Sequence, residues 1–357
     1  MRVAAPLALP VTPLGVMFLK SSPAPALAKT AEPAKAPATA DVPLTVATFN
    51  VENFFTPGEN KQARVPVTQL QYDTKLKKLE LAITKELHSP DVVALEEVGN
   101  QTALDDLLSK TDLGKFGYKA VMLPTNDKRG INVAVMYNAN RVTLDGARQA
   151  NTPTPTKVVH DNAGGSLDPG MLFARPPLIV DFSMRGAAQA HEGVQQLELI
   201  VNHFVAKLGG PKSDPRRTAQ GAWIGGLIDA SRAANPTRGV IALGDFNSDY
   251  GEDSYKAMTT TEGGSSRVED TPVLALKPAE RYTYKYNGSP DMLDHMLVTG
   301  DLAKALTTVV IPHFDSDDAH KSANDVSKAD GVSDHDPILA SFDLAKLAAQ
   351  AVQPAQK

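Results

Sequence analysis

Five short apolar segments, each with polar or charged residues at one end, constrain the fold of this chain more than any other feature. Residues 44–51 (LTVATFNV) alternate apolar with small or polar residues, as a strand does. A carboxylate at the end of a buried strand is costly unless it is paired or bound to a metal. Several such carboxylates, with His and Asn but no Cys, suit a hard divalent cation. The segments lie at 48–53, 94–98, 201–204, 243–247 and 333–337.

The remaining hydrophobic pattern predicts layered sheets with outer helices. Two long helices are expected at 68–88 and 214–234, the second with Pro215 at its start. The apolar face of the first helix would comprise Leu70, Leu76, Leu79, Ile83 and Leu87. Further strands are expected at 91–95, 132–137, 178–182, 196–205, 238–243, 281–286, 293–298, 306–311 and 338–342. Because the strands come in runs, the pattern favours stacked sheets over a regular βαβ alternation.

The N-terminal region has the layout of a secretory signal peptide. Arg2 gives a positive start, residues 3–19 are apolar, and Ala26-Leu27-Ala28 has the small-x-small form of a cleavage site. The alternative is a disordered Ala/Pro tail. We expect a secreted or periplasmic protein with a signal peptide at 1–28, a flexible linker at 29–41, a catalytic domain at 42–346 and a disordered tail at 347–357.

Charge, cysteine content and hydropathy exclude several classes of protein. The formal net charge is -5, so no global basic field draws the chain onto nucleic acid. A polyanionic substrate would have to meet local Lys and Arg residues or a bound metal. The absence of cysteine excludes disulfide scaffolds, thiolate zinc sites and thiol catalysis. No run reaches the roughly 18 apolar residues that a membrane-spanning helix needs, so we expect no stable membrane insertion.

The polar residues of these segments suffice for phosphodiester hydrolysis. Asp245 and Asn247 are two residues apart and face the same side of an extended backbone, and Gly244 permits an unusual dihedral angle beside them. A cation would neutralise charge on the phosphoryl oxygens. One imidazole can take a proton from water, and another can stabilise the phosphate or protonate the leaving oxygen. A carboxylate beside a histidine fixes its tautomer, and Asp294 is a candidate for that role.

The order and content of the segments resemble the endonuclease/exonuclease/phosphatase superfamily, which includes DNase I-like and abasic-site nucleases. The resemblance covers roughly residues 44 to 343. It is closest in appearance to bacterial extracellular nucleases, in which NHF, GDFN, a late LDH and a final SDHDP are typical. It implies an α/β fold of four layers, in which two packed mixed β-sheets are flanked by helices.

The resemblance also implies which residues bind the metal and the substrate. Asn50, Glu97 and Asp334 would lie at the metal, and Asn50 would also lie near the phosphate. Glu96 stands where the family usually has glutamine. Arg175, in Phe173-Ala174-Arg175-Pro176, resembles the phosphate-contacting arginine of the DNase I-like pattern.

The catalytic residues implied by the resemblance come from four segments. His203 and His335 match the two catalytic histidines, and Asp294 matches the aspartate that pairs with the second. Asp245 and Asn247 match residues that orient the nucleophile, and Asn247 would also contact substrate. The family places a glutamate beside the first histidine, but the strand expected at 132–137 contains only Asn132 and no carboxylate. The partner of His203 therefore stays unassigned.

The expected function is metal-dependent hydrolysis of phosphodiesters outside the cytoplasm. DNA endonuclease activity is the leading expectation, with RNA as a second substrate. The cation expected first is Mg²⁺, with Mn²⁺ and Ca²⁺ as alternatives. Two other functions stay open: hydrolysis of phospholipid head groups or inositol phosphates, and a non-catalytic binding module that keeps the fold.

Overall fold

The computed structural model of the protein describes residues 43–59, 66–150, 171–185, 196–318 and 320–344. The expected signal peptide (1–28), linker (29–41) and tail (347–357) lie outside these ranges. Within the described ranges, no helix combines the length and the apolar character needed to cross a membrane.

The described residues form fourteen strands and six α-helices. The strands are β1 (Leu44–Phe54), β2 (Val92–Val98), β3 (Tyr118–Met122), β4 (Asn132–Asn138), β5 (Val142–Gln149), β6 (Leu178–Met184), β7 (Gln196–His203), β8 (Gly239–Asp245), β9 (Glu269–Asp270), β10 (Tyr284–Tyr286), β11 (Ser289–Asp291), β12 (Asp294–Val298), β13 (Leu306–Val310) and β14 (Ile338–Phe342). The helices are α1 (Gln69–Leu81), α2 (Gln101–Ser109), α3 (Asp214–Ala234), α4 (Asp253–Thr259), α5 (Thr271–Ala275) and α6 (Gly300–Ala305). The π-helical turn Ala82–Glu86 continues α1, and the 3-10 helix Lys207–Ser213 precedes α3.

Local sequence fixes the start of both long helices. Thr68 caps α1: its side chain accepts from the backbone N–H of Gln71, and the Gln71 side chain accepts from the N–H of Thr68. This reciprocal capping box satisfies two donors that a helix start leaves unpaired. Pro215 lies in the first turn of α3, where its missing N–H costs nothing.

Two mixed sheets of six strands form the centre of the fold. The first has the order β13-β14-β1-β2-β4-β3, and the second β5-β6-β7-β8-β12-β9. In each sheet one central pair is parallel: β1 with β2, and β7 with β8. These pairs are connected through α1 and α3 respectively. Because parallel strands share their direction, the carboxyl ends of each pair lie at one edge of its sheet.

Three apolar cores separate four layers. The core between the sheets contains Val46 and Ala94 from the first sheet and Leu199 and Leu243 from the second. The neighbouring residues in each strand point the other way, since side chains alternate along a strand. A second core therefore packs the far face of the first sheet against α1 and α2. A third packs the far face of the second sheet against α3 and α4.

This architecture confirms the expected four-layer α/β sandwich of the DNase I-like type. The predicted apolar face of α1 was wrong at one position: Leu70 is 77% exposed in the first turn, and Tyr72 is buried instead. The expected strand at 281–286 shortens to β10, which pairs with β11 and forms an isolated antiparallel bridge from Tyr284 to His335.

Candidate active site

Strand ends from both sheets place three polar side chains around Asp245. In the second sheet, Asp245 ends β8 and is paired across the ladder with His203 of β7 and with Asp294 of β12. From the first sheet, Asn50 of β1 donates its amide N–H to Oδ2 of Asp245 at 3.0 Å. All four residues are buried. The hydrogen bond between Asn50 and Asp245 therefore joins the two sheets at the edge where the parallel strands end.

The backbone around Asp245 depends on Gly244 and Asn247. Gly244 has a φ of +124°, and a Cβ there would lie 2.1 Å from the carbonyl oxygen of Asn202, so only glycine fits. Asn247 adopts a left-handed φ of 49°, which asparagine tolerates better than most residues. Its backbone N–H donates to Oδ1 of Asp245 at 2.8 Å. Burial raises the pKa of Asp245 to about 7, with Asp294 acting in the same direction and His335 opposing it.

Asp294 and His335 form a buried pair beside Asp245. Nδ1 of His335 lies 2.7 Å from Oδ2 of Asp294, so this nitrogen carries a proton and the imidazole orientation is fixed. Burial alone would lower the pKa of His335. The charge and hydrogen bond of Asp294, with the charge of Asp245, nevertheless raise that pKa well above its ordinary value. His335 is therefore an imidazolium held between two carboxyl groups.

His203 lies in the opposite electrostatic environment. Its Nε2 is 3.4 Å from Oδ2 of Asp245 and 3.9 Å from Oε1 of Glu97. Burial, followed by the charges of Arg175 and Arg129, lowers its pKa well below the ordinary value, so the imidazole is neutral. Its Nδ1 is buried and has no hydrogen-bond partner among the described residues. Among the described residues, no carboxylate therefore bonds to Nδ1 of His203, and both neighbouring carboxylates lie near Nε2.

The two adjacent glutamates have different surroundings. Glu96 is fully buried and accepts a hydrogen bond from Thr48 at 3.0 Å. Burial, then the charge of Asp294, raises the pKa of Glu96 well above its usual range. Glu97 adopts a left-handed φ of 65°, keeps a partly exposed side chain, and accepts from the N–H of Asn53 at 2.9 Å. Glu97 is therefore the glutamate on the accessible side of the site.

The partly exposed carboxylates of the site, Glu52, Glu97 and Asp334, suit a divalent cation. Burial raises the pKa of Glu52, and the charges of Asp334 and Glu97 add to this effect while the charge of Lys75 opposes it. Glu97 and Asp334 therefore lie close enough to Glu52 to interact with it electrostatically. Carboxylate oxygens are the ligands that Mg²⁺, Mn²⁺ and Ca²⁺ prefer. Asn50 is engaged at both ends of its amide: Oδ1 accepts from the N–H of Glu52 at 3.0 Å while Nδ2 donates to Asp245.

A second group of possible ligands consists of Asp245, Asp294 and His335, whose polar atoms lie within 4.8 Å of one another. Nδ1 of His335 and Oδ2 of Asp294 already bond to each other. This group consequently fits proton handling better than metal binding.

Arg175, the expected phosphate contact, is held in place by buried contacts beside His203. Its guanidinium is buried and donates to the carbonyl oxygens of His203 and Phe204 at 3.2 and 2.6 Å. It also pairs with Asp127 at 2.5 Å. These three contacts each use a different nitrogen, so Arg175 supports the backbone beside His203, and its contact with phosphate stays a prediction. The sequence pattern located the arginine near the site but carried no sign of its buried carboxylate partner.

Three residues to which the sequence assigned no role support the site, and two of them, Ser333 and Glu52, lie in the polar segments. Ser333 donates its hydroxyl to the carbonyl oxygen of Asn50 at 2.6 Å and accepts from the N–H of His335. Lys75 of α1 donates to the carbonyl oxygens of Glu52, at 3.0 Å, and of Val332. Glu52 was part of the first polar segment, whereas Lys75 resembled the other lysines of a solvated helix face. Asn132 stays outside the site, since its amide nitrogen donates to three backbone carbonyls, those of Val98, Gly99 and Gly130.

Comparisons with known proteins agree with this architecture. A family model described as Endonuclease/Exonuclease/phosphatase family matches residues 45–331. No curated protein matches the sequence. Similar solved structures include the endonuclease/exonuclease/phosphatase from Bacteroides vulgatus, at 15% identity over 85% of this chain and 99% of that chain, with a TM-score of 0.54. A second is D. rerio TDP2 complexed with single strand DNA product, at 17% identity over 85% of this chain and 99% of that chain, with a TM-score of 0.54. A third is the human Nocturnin catalytic domain with bound sulfate anion, at 16% identity over 85% of this chain and 95% of that chain, with a TM-score of 0.53.

The match to the family model extends over most of the chain. The protein belongs to the endonuclease/exonuclease/phosphatase family, whose members hydrolyse phosphoester bonds.

Proposed function

We propose that this protein is a secreted, divalent-metal-dependent phosphodiesterase that cleaves DNA internally. The observation that carries the proposal is the position of Asp245 between two histidines. His203 lies 3.4 Å away on one side, and the hydrogen-bonded Asp294–His335 pair lies on the other. The environments of the two imidazoles move their pKa values in opposite directions. Titratable groups whose pKa values are separated in this way commonly serve as the acid and the base of one reaction.

The proposed roles follow from the hydrogen bonds. Asp245 and Asn247 position the attacking water, and Asp245, whose pKa is about 7, accepts its proton near neutral pH. The imidazolium of His335 stabilises charge on the phosphoryl oxygens and donates its Nε2 proton to the leaving oxygen, and Asp294 holds it in orientation. The neutral imidazole of His203 flanks the phosphate from the other side.

Glu97 and Asp334 would hold the cation, with Glu52 as a further carboxylate and Asn50 beside them. When bound, a divalent cation neutralises phosphoryl charge and favours ionisation of water. The oxygen-only ligands support Mg²⁺ first, with Mn²⁺ and Ca²⁺ as alternatives.

Support for DNA and for secretion is less direct. Family membership covers nucleases and phosphatases alike. The motifs resemble those of bacterial extracellular nucleases, and a protein of similar fold, TDP2, is complexed with single strand DNA product. Secretion rests on the signal-peptide pattern at 1–28.

An activity panel tests the proposal. Plasmid DNA, RNA, sphingomyelin and bis(p-nitrophenyl) phosphate are incubated with the protein, with and without chelator. We expect chelator-sensitive nicking of plasmid DNA, which would be lost in His335→Ala. His88→Ala is the matched control, because His88 is an exposed histidine at the opposite end of the first sheet, before β2. Near-normal activity of His335→Ala would exclude this mechanism.

The same panel separates the alternatives. Preference for sphingomyelin over DNA would support a phosphoesterase that acts on phospholipid head groups. Inositol phosphates, added as further substrates, test the same alternative. Binding of DNA without turnover of any substrate would support a non-catalytic module.

A further inference from the structure

The loop before β4 is anchored to the active site by a buried ion pair. Asp127, whose side chain is fully buried, accepts from Arg175 at 2.5 Å through Oδ2. Arg175 in turn donates to the carbonyl oxygens of His203 and Phe204. The N–H of Asn126 also donates to the carbonyl oxygen of Ala174 at 3.0 Å. Residues 124–131 are thus held against the backbone that carries His203.

Arg129 is the outermost charge of this cluster. Its backbone N–H donates to Oδ1 of Asp127 at 2.8 Å, and its Nε lies 3.6 Å from the same oxygen. Its side chain is 43% exposed, and within the described part of the chain its guanidinium donates no hydrogen bond. A guanidinium has five N–H donors that match the oxygens of a phosphate.

Among the described residues, the charge of Arg129 has no carboxylate of its own. Asp127 is already neutralised by Arg175, so the two arginines share one carboxylate. Together, Asp127, Arg129 and Arg175 carry one net positive charge. The guanidinium is close enough to lower the pKa of both Arg175 and His203. An anion beside His203 would supply the missing negative charge and the missing acceptors.

We propose that Arg129 binds a phosphate of the substrate strand adjacent to the scissile phosphate. This assignment rests on the proposed phosphodiesterase function. Arg175 and Asp127 hold the loop in place, and Arg129 adds exposed positive charge beside His203 in a chain of net charge -5. The contact adds affinity for a polymer but has no counterpart in an isolated diester.

The test compares Arg129→Ala with wild type on a DNA duplex and on bis(p-nitrophenyl) phosphate, a diester with no neighbouring phosphate. We expect kcat/KM on the duplex to fall about tenfold more than on the small diester. The slope of log(kcat/KM) against log[salt] should become shallower by about 1, as for the loss of one phosphate contact. Arg129→Lys should restore most of the slope, since it keeps the charge.

Lys115→Ala is the matched control. It removes one exposed positive charge just before β3, at the end of the first sheet away from the site, and should change neither substrate's kinetics nor the slope. An unchanged salt slope in Arg129→Ala would overturn the proposal, as would equal losses on both substrates. Wild-type protein that hydrolyses neither substrate would instead overturn the proposed function.

Discussion

At the scale of single residues, the Asp294–His335 hydrogen bond should control turnover. In Asp294→Asn the amide can donate to Nδ1 of His335, which favours the wrong tautomer and removes the charge that keeps the imidazole protonated. We expect kcat to fall by about 10²- to 10⁴-fold with little change in KM.

Asp270→Asn provides a matched control for this prediction. Asp270 forms an equally short 2.7 Å hydrogen bond with His295, another buried histidine, whose other nitrogen contacts the carbonyl oxygen of Ser248. Steady-state kinetics, corrected for the folded fraction, should show near-normal kcat in Asp270→Asn. Equal kcat losses in the two variants would mean that the loss is not specific to the Asp294–His335 pair.

Gly244 should be irreplaceable for steric reasons. In Gly244→Ala the new Cβ would meet the carbonyl oxygen of Asn202 at 2.1 Å, in addition to the strain of a φ of +124°. We expect the free energy of unfolding to fall by about 3 kcal/mol or more. Gly251 is the control, because its φ is +81° but no described atom would lie within 4 Å of an added Cβ. Urea denaturation should give a smaller loss, about 1 kcal/mol, for Gly251→Ala, and equal losses would contradict the steric argument.

At the scale of elements, α1 organises the loop that leads to His335. The ammonium of Lys78 donates to the carbonyl oxygens of Ser322, Asp325 and Lys328 at 2.9 to 3.0 Å. Lys78→Met keeps the length of the side chain but leaves these three acceptors without their donor. We expect a loss of about 2–3 kcal/mol in unfolding free energy and faster amide exchange in the loop.

Lys77→Met is the neighbouring control, since Lys77 is 54% exposed and pairs only with Glu80 among the described residues. Hydrogen exchange followed by mass spectrometry should show faster amide exchange in this loop in Lys78→Met alone. Unchanged protection of the loop in that variant would show that the three hydrogen bonds from Lys78 do not hold the loop in place.

The elements also show what sequence could and could not predict. Buried strands such as β8 and long helices such as α3 were predicted closely, because continuous apolar runs and a proline start are strong local signals. The edge strands β3 and β5 were missed, because half-exposed strands carry a weak apolar pattern. Arg175 was placed near the site, but its burial against Asp127 depends on a contact 48 residues away along the chain.

At the scale of the whole molecule, the candidate site exists only where the two sheets meet. Each sheet supplies one parallel strand pair joined through a helix, and each adds an antiparallel neighbour: β14 in the first sheet and β12 in the second. Asn50 bonds to Asp245 across the sheets, and His335, just before β14, bonds to Asp294 of β12. The segments revealed the residue types, but these cross-sheet partners follow from packing, which no local pattern encodes.

The stability of the whole molecule should carry a pH dependence from Asp315. This carboxyl is fully buried and accepts from the N–H of Val332 at 2.9 Å, while its Oδ2 has no partner among the described residues. Burial raises its pKa from 3.8 to about 8. The folded state therefore keeps a proton that the unfolded state releases. Its contribution to stability is full below pH 3.8, declines as the pH rises toward 8, and is constant above that.

Asp315→Asn removes this titration and keeps an acceptor for Val332. The stability difference between variant and wild type should grow with pH by up to about 1.4 kcal/mol per unit between pH 5 and 7, and level off above pH 8. The comparison isolates Asp315, because other shifted groups such as Asp245 contribute to both proteins. Urea denaturation with chelator present throughout measures it, with Asp253→Asn as an exposed control on α4. A difference that stays flat from pH 5 to 9 would show that Asp315 is ionised in the folded protein.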